Sequence, residues 1–294
     1  MRVFVTGANG YIGGAVAAAL AGDGWSVRGL VRDRAKADAV APFGIEPVIG
    51  TLDDGALLRS EARAADAVVN AASSDHRGAV EALLAGLANF GKVFIHSSGS
   101  SIIADRAMGE PSDLIYEEGT PIAPLADKAA RVAIDRLVRD ASGVRAAVLC
   151  NSMIYGAALG PPAQSVQIPA LVRQARSSGV VRYIGRGLNR WSNAHIADVV
   201  TLYRRVIANP PAGAFMYVES GEEALGAIAG AIAARLKLDA AQSWSAEAAI
   251  AAWGQNMATY SLGSNSRVRG KAAAALGWKP KHGSIVEWIA TALD

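Results

Sequence analysis

The chain has 294 residues, of which 51% are hydrophobic and 19% charged, with one cysteine, four histidines and a formal net charge of +3. That content supports a large buried core in one domain or two tightly joined ones, and excludes a disordered chain. A lone Cys150 rules out an internal disulfide framework, no apolar run reaches the ~18 residues of a membrane span, and MRVFV lacks a signal layout. The expectation is therefore a cytoplasmic chain without membrane attachment. Charges of both signs are interspersed, with no basic stripe beside aromatics, so no nucleic-acid partner is expected. His76, His96, His195 and His282 lack metal-ligand spacing, and no metal is expected.

In chain order, predicted strands are RVFVTG (2–7), SVRGLV (26–31), IEPVIG (45–50), AVVNAA (67–72), KVFIHS (92–97) and RAAVLC (145–150). Between them, helical patterns cover 11–24, 53–64, 78–91 and 127–140. This alternation predicts an α/β protein of Rossmann type, a doubly wound parallel sheet with helices on both faces. The connection from about 98 to 123 is polar and carries Pro111 and Gly119, a length that marks functional loops. Beyond Gly156 the pattern loosens into short strands at 180–185 and 214–218 among alanine-rich helices. The predicted division is 1–155 for the first domain, with 180–218 returning to it. Residues 156–179 and 219–294 form a smaller, interleaved C-terminal substrate-binding subdomain.

The sharpest motif is VTGANGYIGG, with Gly7, Gly10 and Gly13 after a strand and opening a helix. Glycines there let a pyrophosphate approach backbone N–H groups at the positive helix end, so Gly7, Asn9, Gly10, Tyr11, Ile12 and Gly13 are predicted to bind a dinucleotide. At the tip of the second strand the chain reads LVRDR. Arginine at that tip accommodates a 2′-phosphate, whereas an acid grips a ribose hydroxyl. Arg32 occupies the tip, so NADP is preferred over NAD; Asp33, one position on, keeps the alternative open.

With these residues in view, the chain resembles the extended and atypical branch of the short-chain dehydrogenase/reductase superfamily, the epimerase/dehydratase-like proteins, over nearly its whole length. TGANGYIG is similar to that branch's TGxxGxxG loop. GTLDD (50–54) resembles G-D-L-x-D, implying Thr51 and Leu52 near adenine, although Thr51 replaces the usual aspartate. VVNAAS (68–73) implies Ala71, Ala72 and Ser73 near ribose and phosphates. NSMIYG (151–156) resembles P-x-x-x-Y-G, implying Asn151, Ser152, Met153 and Ile154 beside the nicotinamide. NAHIADVV (193–200) resembles V-H-V-x-D-V, with His195 and Asp198 as packing and hydrogen-bonding residues. LGWKP (276–280) resembles the L-G-W-x-P ending.

In that superfamily a YxxxK tyrosine moves the proton, its lysine one helical turn on, with a hydroxyl after strand five. Lys128 falls at the lysine position, but Pro124 stands where tyrosine should, and proline has nothing to titrate. Lys128 is read as a ligand of the nicotinamide ribose, as the proton donor itself, or as a solvated helix residue. HSSGSS (96–101) places Gly99 on the hydroxyl position, with Ser98 and Ser100 on either side and Ser97 toward the cofactor. Tyr116, Tyr155 and His96 are substitute acids. The resemblance puts Asn189, Arg190 and Trp191 near the substrate, against an equal reading as structural residues. Met153, Trp253 and Met257 line an apolar pocket or the core.

The leading expectation is an NADP-dependent oxidoreductase reducing a carbonyl or other polarised double bond of a small molecule, monomeric or homodimeric, with a non-standard proton donor. Two alternatives stay open: a non-catalytic NADP-binding sensor, and a nucleotide-sugar epimerase or dehydratase.

Overall fold

The computed structural model describes residues 1–293. In chain order its first half contains β1 (Arg2–Thr6), α1 (Tyr11–Gly22), β2 (Ser26–Val31), α2 (Arg34–Val40), β3 (Ile45–Ile49), α3 (Gly55–Ala64), β4 (Ala67–Asn70), α4 (Arg77–Leu87) and β5 (Val93–Gly99). There follow β6 (Tyr116–Glu117), α5 (Ala129–Arg139), β7 (Arg145–Asn151), β8 (Met153–Tyr155), α6 (Gln167–Ser178), β9 (Arg182–Ile184), β10 (Arg190–His195), α7 (Ile196–Ala208) and β11 (Ala214–Val218). The last part holds β12 (Gly221–Ala224), α8 (Leu225–Leu236), β13 (Gln242–Trp244), α9 (Ala246–Trp253), α10 (Gln255–Met257), β14 (Val268–Arg269), α11 (Lys271–Ala275) and α12 (Ile285–Ala292).

The strands of the first half are apolar on both faces, the pattern of a parallel sheet covered by helices on each side. Val3 and Val5 of β1 pack toward α1 and α7, while Phe4 between them packs toward α3, α4 and α5. Val93 and Ile95 against Phe94 repeat this period of two in β5. Seven strands run in the order β11-β7-β5-β4-β1-β2-β3, every pairing parallel. The order reverses at β1, so a crevice opens at the carboxyl ends of β1 and β4, where such sheets bind ligands.

A third core joins α6, α8 and α12 to β8, β9 and β10, and forms the smaller lobe. Its strands pair in small sheets, β12-β10-β8 and β13-β9, while β14 pairs β6. The segment expected to return to the main sheet over 180–218 is therefore shorter. Only α7, packed on α1, and β11, paired with β7, return; β9 and β10 stay with the lobe because their partners are β13, β8 and β12.

Candidate active site and cofactor cleft

At the exit of β1 the chain must turn sharply under the neighbouring strand. Gly7 has φ of 70°, and a Cβ on it would lie 2.7 Å from the Ala71 carbonyl oxygen; one on Gly13 would lie 2.4 Å from that of Gly7. No side chain fits at either position. Gly10 caps α1 without a side-chain hydrogen bond, which leaves first-turn N–H groups open toward the crevice. The crevice encloses about 330 Å³ between the glycine loop, the tip of β2, Thr51–Leu52 and Ala71–Ala72. Tyr11 spans the loop and donates its phenolic hydrogen to the Gly156 carbonyl at 2.8 Å, and Ile12 packs against the core. These features fit a dinucleotide: close backbone approach, a free helix end and a slot beyond it.

Arg32 is exposed at the mouth of this slot. Asp33 faces another way, because its carboxylate accepts the Lys36 N–H at 2.9 Å and caps α2. Thr51 is held by Asp54, which accepts its N–H at 2.6 Å. Ser73 accepts the Asp75 N–H and shapes the loop after β4.

At the other end, α5 meets the exits of β4 and β5. Its first turn begins one residue past Lys128, after a 3₁₀ turn at Ala126–Lys128. The side chain that reaches the exit of β5 is Arg131. Its Nε and Nη2 donate to the two Asp75 oxygens at 2.8 and 2.5 Å, and Nη1 donates to the Ser101 hydroxyl at 3.0 Å. A Cβ on Gly99 would lie 3.5 Å from Nη1, so the guanidinium fills the space beside the position expected to carry the hydroxyl. The Arg131 hydrogen bonds hold Asp75 below the usual carboxylate range.

Lys128 lies nearby, its charge also acting on Asp75: Nζ is 3.6 Å from Asp127 and 4.9 Å from the ring centre of Tyr260, a residue more than a hundred positions away in sequence. Arg106 donates to the Tyr260 hydroxyl at 2.9 Å. Neither Arg131 nor Tyr260 stands out in sequence. Arg131 is nonetheless only three residues from Lys128, in the first turn of α5.

The structure departs from the expectation that Ser98 and Ser100 face the substrate and Ser97 the cofactor. Ser98 donates to Asp135 at 2.8 Å inside the core, Ser100 is 1% exposed and accepts from the Ser266 hydroxyl at 2.7 Å, and Ser97 bonds the Tyr203 hydroxyl at 2.7 Å. Alternation along β5 explains Ser98: it shares the face of Phe94 and His96, toward α5. His96 is sealed as well. Asn70 accepts from Thr6 at 2.6 Å and donates to His96 Nδ1 at 3.0 Å, leaving Nε2 3.6 Å from Asp135. Burial pushes His96 down to about 4, aided by Arg131, and lifts Asp135 to about 7 against the Ser98 hydrogen bond.

Asn151 donates to Ser98 O, Leu149 O and the Tyr203 hydroxyl, Ser152 donates to Val218 O, and Met153 and Ile154 point into cores. Their side chains are committed to the sheet and the cores beside it. Tyr116 pairs with β14 and lines a small cavity beside Asp105 and Arg267. Tyr155 is fully buried with its hydroxyl unpartnered. Asn189 and Trp191 are also internal rather than substrate-facing. Asn189 donates to Leu262 O and Ser264 O, and the Trp191 indole donates to Ser264 O at 2.8 Å. Arg190 pairs with Glu222 at 2.7 Å, where Arg267 and Arg269 also converge. His195 caps α7, and Asp198 accepts the N–H groups of Lys281 and His282. Trp253 and Met257 line a groove with Trp244 on the lobe's outer side. Among the described residues no cluster of three metal-ligating side chains occurs, and no helix is long and apolar enough to cross a membrane.

A parallel sheet reversing at β1, with a glycine loop feeding α1 and an open crevice above, defines a dinucleotide-binding protein of the short-chain dehydrogenase/reductase type. Residues 3–216 match the NAD dependent epimerase/dehydratase family, and the chain belongs to it. It is 33% identical to the oxidase ucsJ of Acremonium sp., over 95% of this chain and 92% of that one. It is 25% identical to a 4-hydroxy-2-methyl-3-oxo-4-farnesyl-3,4-dihydroquinoline-1-oxide ketoreductase of Stigmatella aurantiaca, over 75% and 69%. Among solved structures, dTDP-glucose 4,6-dehydratase from Bacillus anthracis in complex with NAD superposes with a TM-score of 0.79 at 16% identity, covering 100% of this chain and 95% of that one. UDP-glucose 4-epimerase from Thermotoga maritima gives 0.76 at 16%, covering 100% and 97%. The likeness to these two is one of fold.

Proposed function

We propose that the chain is an NADP-dependent oxidoreductase that reduces a carbonyl, or a similarly polarised double bond, of a small molecule. The observation that carries this reading is Arg131, held by two bonds to Asp75 beside Gly99 at the exit of β5. A guanidinium has five N–H donors, and three are spent on Asp75 and Ser101. The remaining hydrogens on Nη1 and Nη2 are free to bond a substrate oxygen and to stabilise the negative charge it gains. The glycine loop, Thr51, Leu52 and Ala71–Ser73 would hold the dinucleotide, and Arg32 would meet its 2′-phosphate while Asp33 is committed to α2. When bound, the reduced nicotinamide supplies hydride. Relatives named as an oxidase and a ketoreductase support redox chemistry at carbon and oxygen.

A non-catalytic NADP sensor is favoured by one observation: Ser97, Ser98 and Ser100 are all engaged internally, so none of the three offers its hydroxyl to a substrate. Nucleotide-sugar epimerisation or dehydration is disfavoured, because Pro124 leaves Lys128 without the tyrosine that such reversible chemistry uses. The two leading readings separate on a panel of small aldehydes, ketones and quinones assayed for NADPH consumption. NADPH binding with turnover of at least one compound supports the reductase. Tight NADPH binding with no turnover of any compound overturns it in favour of the sensor.

A further inference from the structure

Resting on that reading, we infer that Tyr260 is the proton donor of the reduction, a role that Pro124 denies to the usual position. Hydride addition forms a C–H bond at the carbonyl carbon and moves the C–O π pair onto oxygen, which must gain a proton. Arg131 stabilises that oxygen but keeps its own protons. Of the other acids near the site, His96 and Asp135 are buried against each other, Tyr155 is sealed in the lobe core, Tyr203 is tied to Ser97 and Asn151, and Tyr116 sits in the β6–β14 pair facing a separate cavity.

Tyr260 is also buried, at 9% exposed, but among the described residues no partner takes its hydroxyl hydrogen. It approaches from the smaller lobe and packs against Lys128, the residue that caps α5 three positions before Arg131. The Lys128 ammonium lies 4.9 Å from its ring centre, and the Arg106 guanidinium 5.6 Å. Its oxygen accepts the Arg106 hydrogen bond, so its own hydrogen is left to donate. The Arg106 guanidinium bonds the oxygen that would carry charge once the proton leaves, and the Lys128 ammonium lies over the ring. Transfer breaks the Tyr260 O–H bond and forms the alcohol O–H; solvent then restores the phenol.

The segment is built to hold this position. Tyr260 sits on a single π-helical turn, Ala258–Leu262, a local geometry frequent at functional sites. The turn is pinned by the residues that sequence places at the substrate: Asn189 binds Leu262 O and Ser264 O, and Trp191 binds Ser264 O. Asn265 then joins Asp105, which precedes Arg106, through two bonds of 2.8 Å. Asn189 and Trp191 thus act as positioning residues for Tyr260.

The test compares wild type with Tyr260→Phe, which keeps the ring against Lys128. The inference predicts NADPH affinity within threefold, kcat for a panel carbonyl reduced by about 10²-fold or more, and the alcohol product bound about three- to tenfold more weakly to the NADP complex. Turnover by wild type with an undiminished Tyr260→Phe variant overturns the inference and leaves the reductase standing; no turnover by wild type overturns both. Should the variant fold poorly, 3-fluorotyrosine at position 260 keeps the shape and makes the phenol more acidic. The limb of the kcat–pH profile that tracks the donor must then move to lower pH, and an unmoved profile overturns the assignment.

Discussion

The Arg131 guanidinium stands 3.5 Å from the point where a side chain on Gly99 would begin, at the end of the strand that lines the cleft. Glycine at 99 and arginine at 131 are complementary. A branched side chain at 99 would push the guanidinium away, so Gly99→Val is expected to lower kcat while leaving NADPH binding within about threefold.

Arg131→Lys keeps the charge but loses the fork that matches Asp75 and a substrate oxygen together. Its expected effect is a fall in kcat/KM of about 10²–10³, the range for removing one preorganised donor to a developing oxyanion. Asp75→Asn should fall by less, because Arg131 keeps a neutral acceptor. Steady-state kinetics on a panel carbonyl checks both, with cofactor titration as the control for folding.

Arg32 sets the cofactor choice in this account. Arg32→Ala should weaken NADPH by about ten- to a hundredfold through loss of a charge-assisted contact and leave NADH nearly unchanged. Calorimetric titration of both cofactors reads the ratio directly. An unchanged ratio would place the 2′-phosphate elsewhere.

Gly13→Ala puts a methyl 2.4 Å from the Gly7 carbonyl oxygen, backbone that cannot step aside cheaply. Overpacking of this kind costs about 1–3 kcal/mol. The expected result is a lower Tm together with cofactor affinity reduced at least tenfold, since the displaced carbonyl belongs to the phosphate loop.

The buried pair of Asp135, midway along α5, and His96 on β5 gives the fold a pH dependence of calculable sign. Asp135 titrates at about 7 when folded and 3.8 normally, so between those values the folded chain retains a proton the unfolded chain has lost. Stability therefore falls as pH rises through that window. His96, lowered from 6.5 to about 4, acts in the opposite sense, and stability rises with pH across its own window. Asp135→Asn removes the falling contribution alone. Its Tm relative to wild type should climb between about pH 4.5 and pH 7.5; a constant difference would show that the Asp135 carboxyl is not held protonated by burial.

The parallel sheet was legible because each strand pairs an apolar run with a turn signal, and β2 and β11 fall at the predicted residues. The glycine loop was legible because its spacing is dictated by close backbone approach. The catalytic end was not. Reading the helix from Asp127 directs Lys128 at the β5 exit, but α5 begins only at Ala129, after a 3₁₀ turn at Ala126–Lys128, and it is Arg131 that bonds Asp75 and Ser101. The inward turn of Ser98 depends on which face of β5 meets α5. Tyr260 reaches Lys128 only through tertiary packing of the smaller lobe, which no local pattern encodes. Asn189 and Trp191 carried a polar signal, but their acceptors are backbone carbonyls 73 positions or more away.

The most direct test is a structure of the chain with NADPH and a slowly reduced carbonyl compound bound. The account predicts the 2′-phosphate within hydrogen-bond reach of Arg32 and the carbonyl oxygen within about 3 Å of Arg131 Nη1. A carbonyl oxygen lying far from Arg131, with the nicotinamide facing a different group, would contradict it.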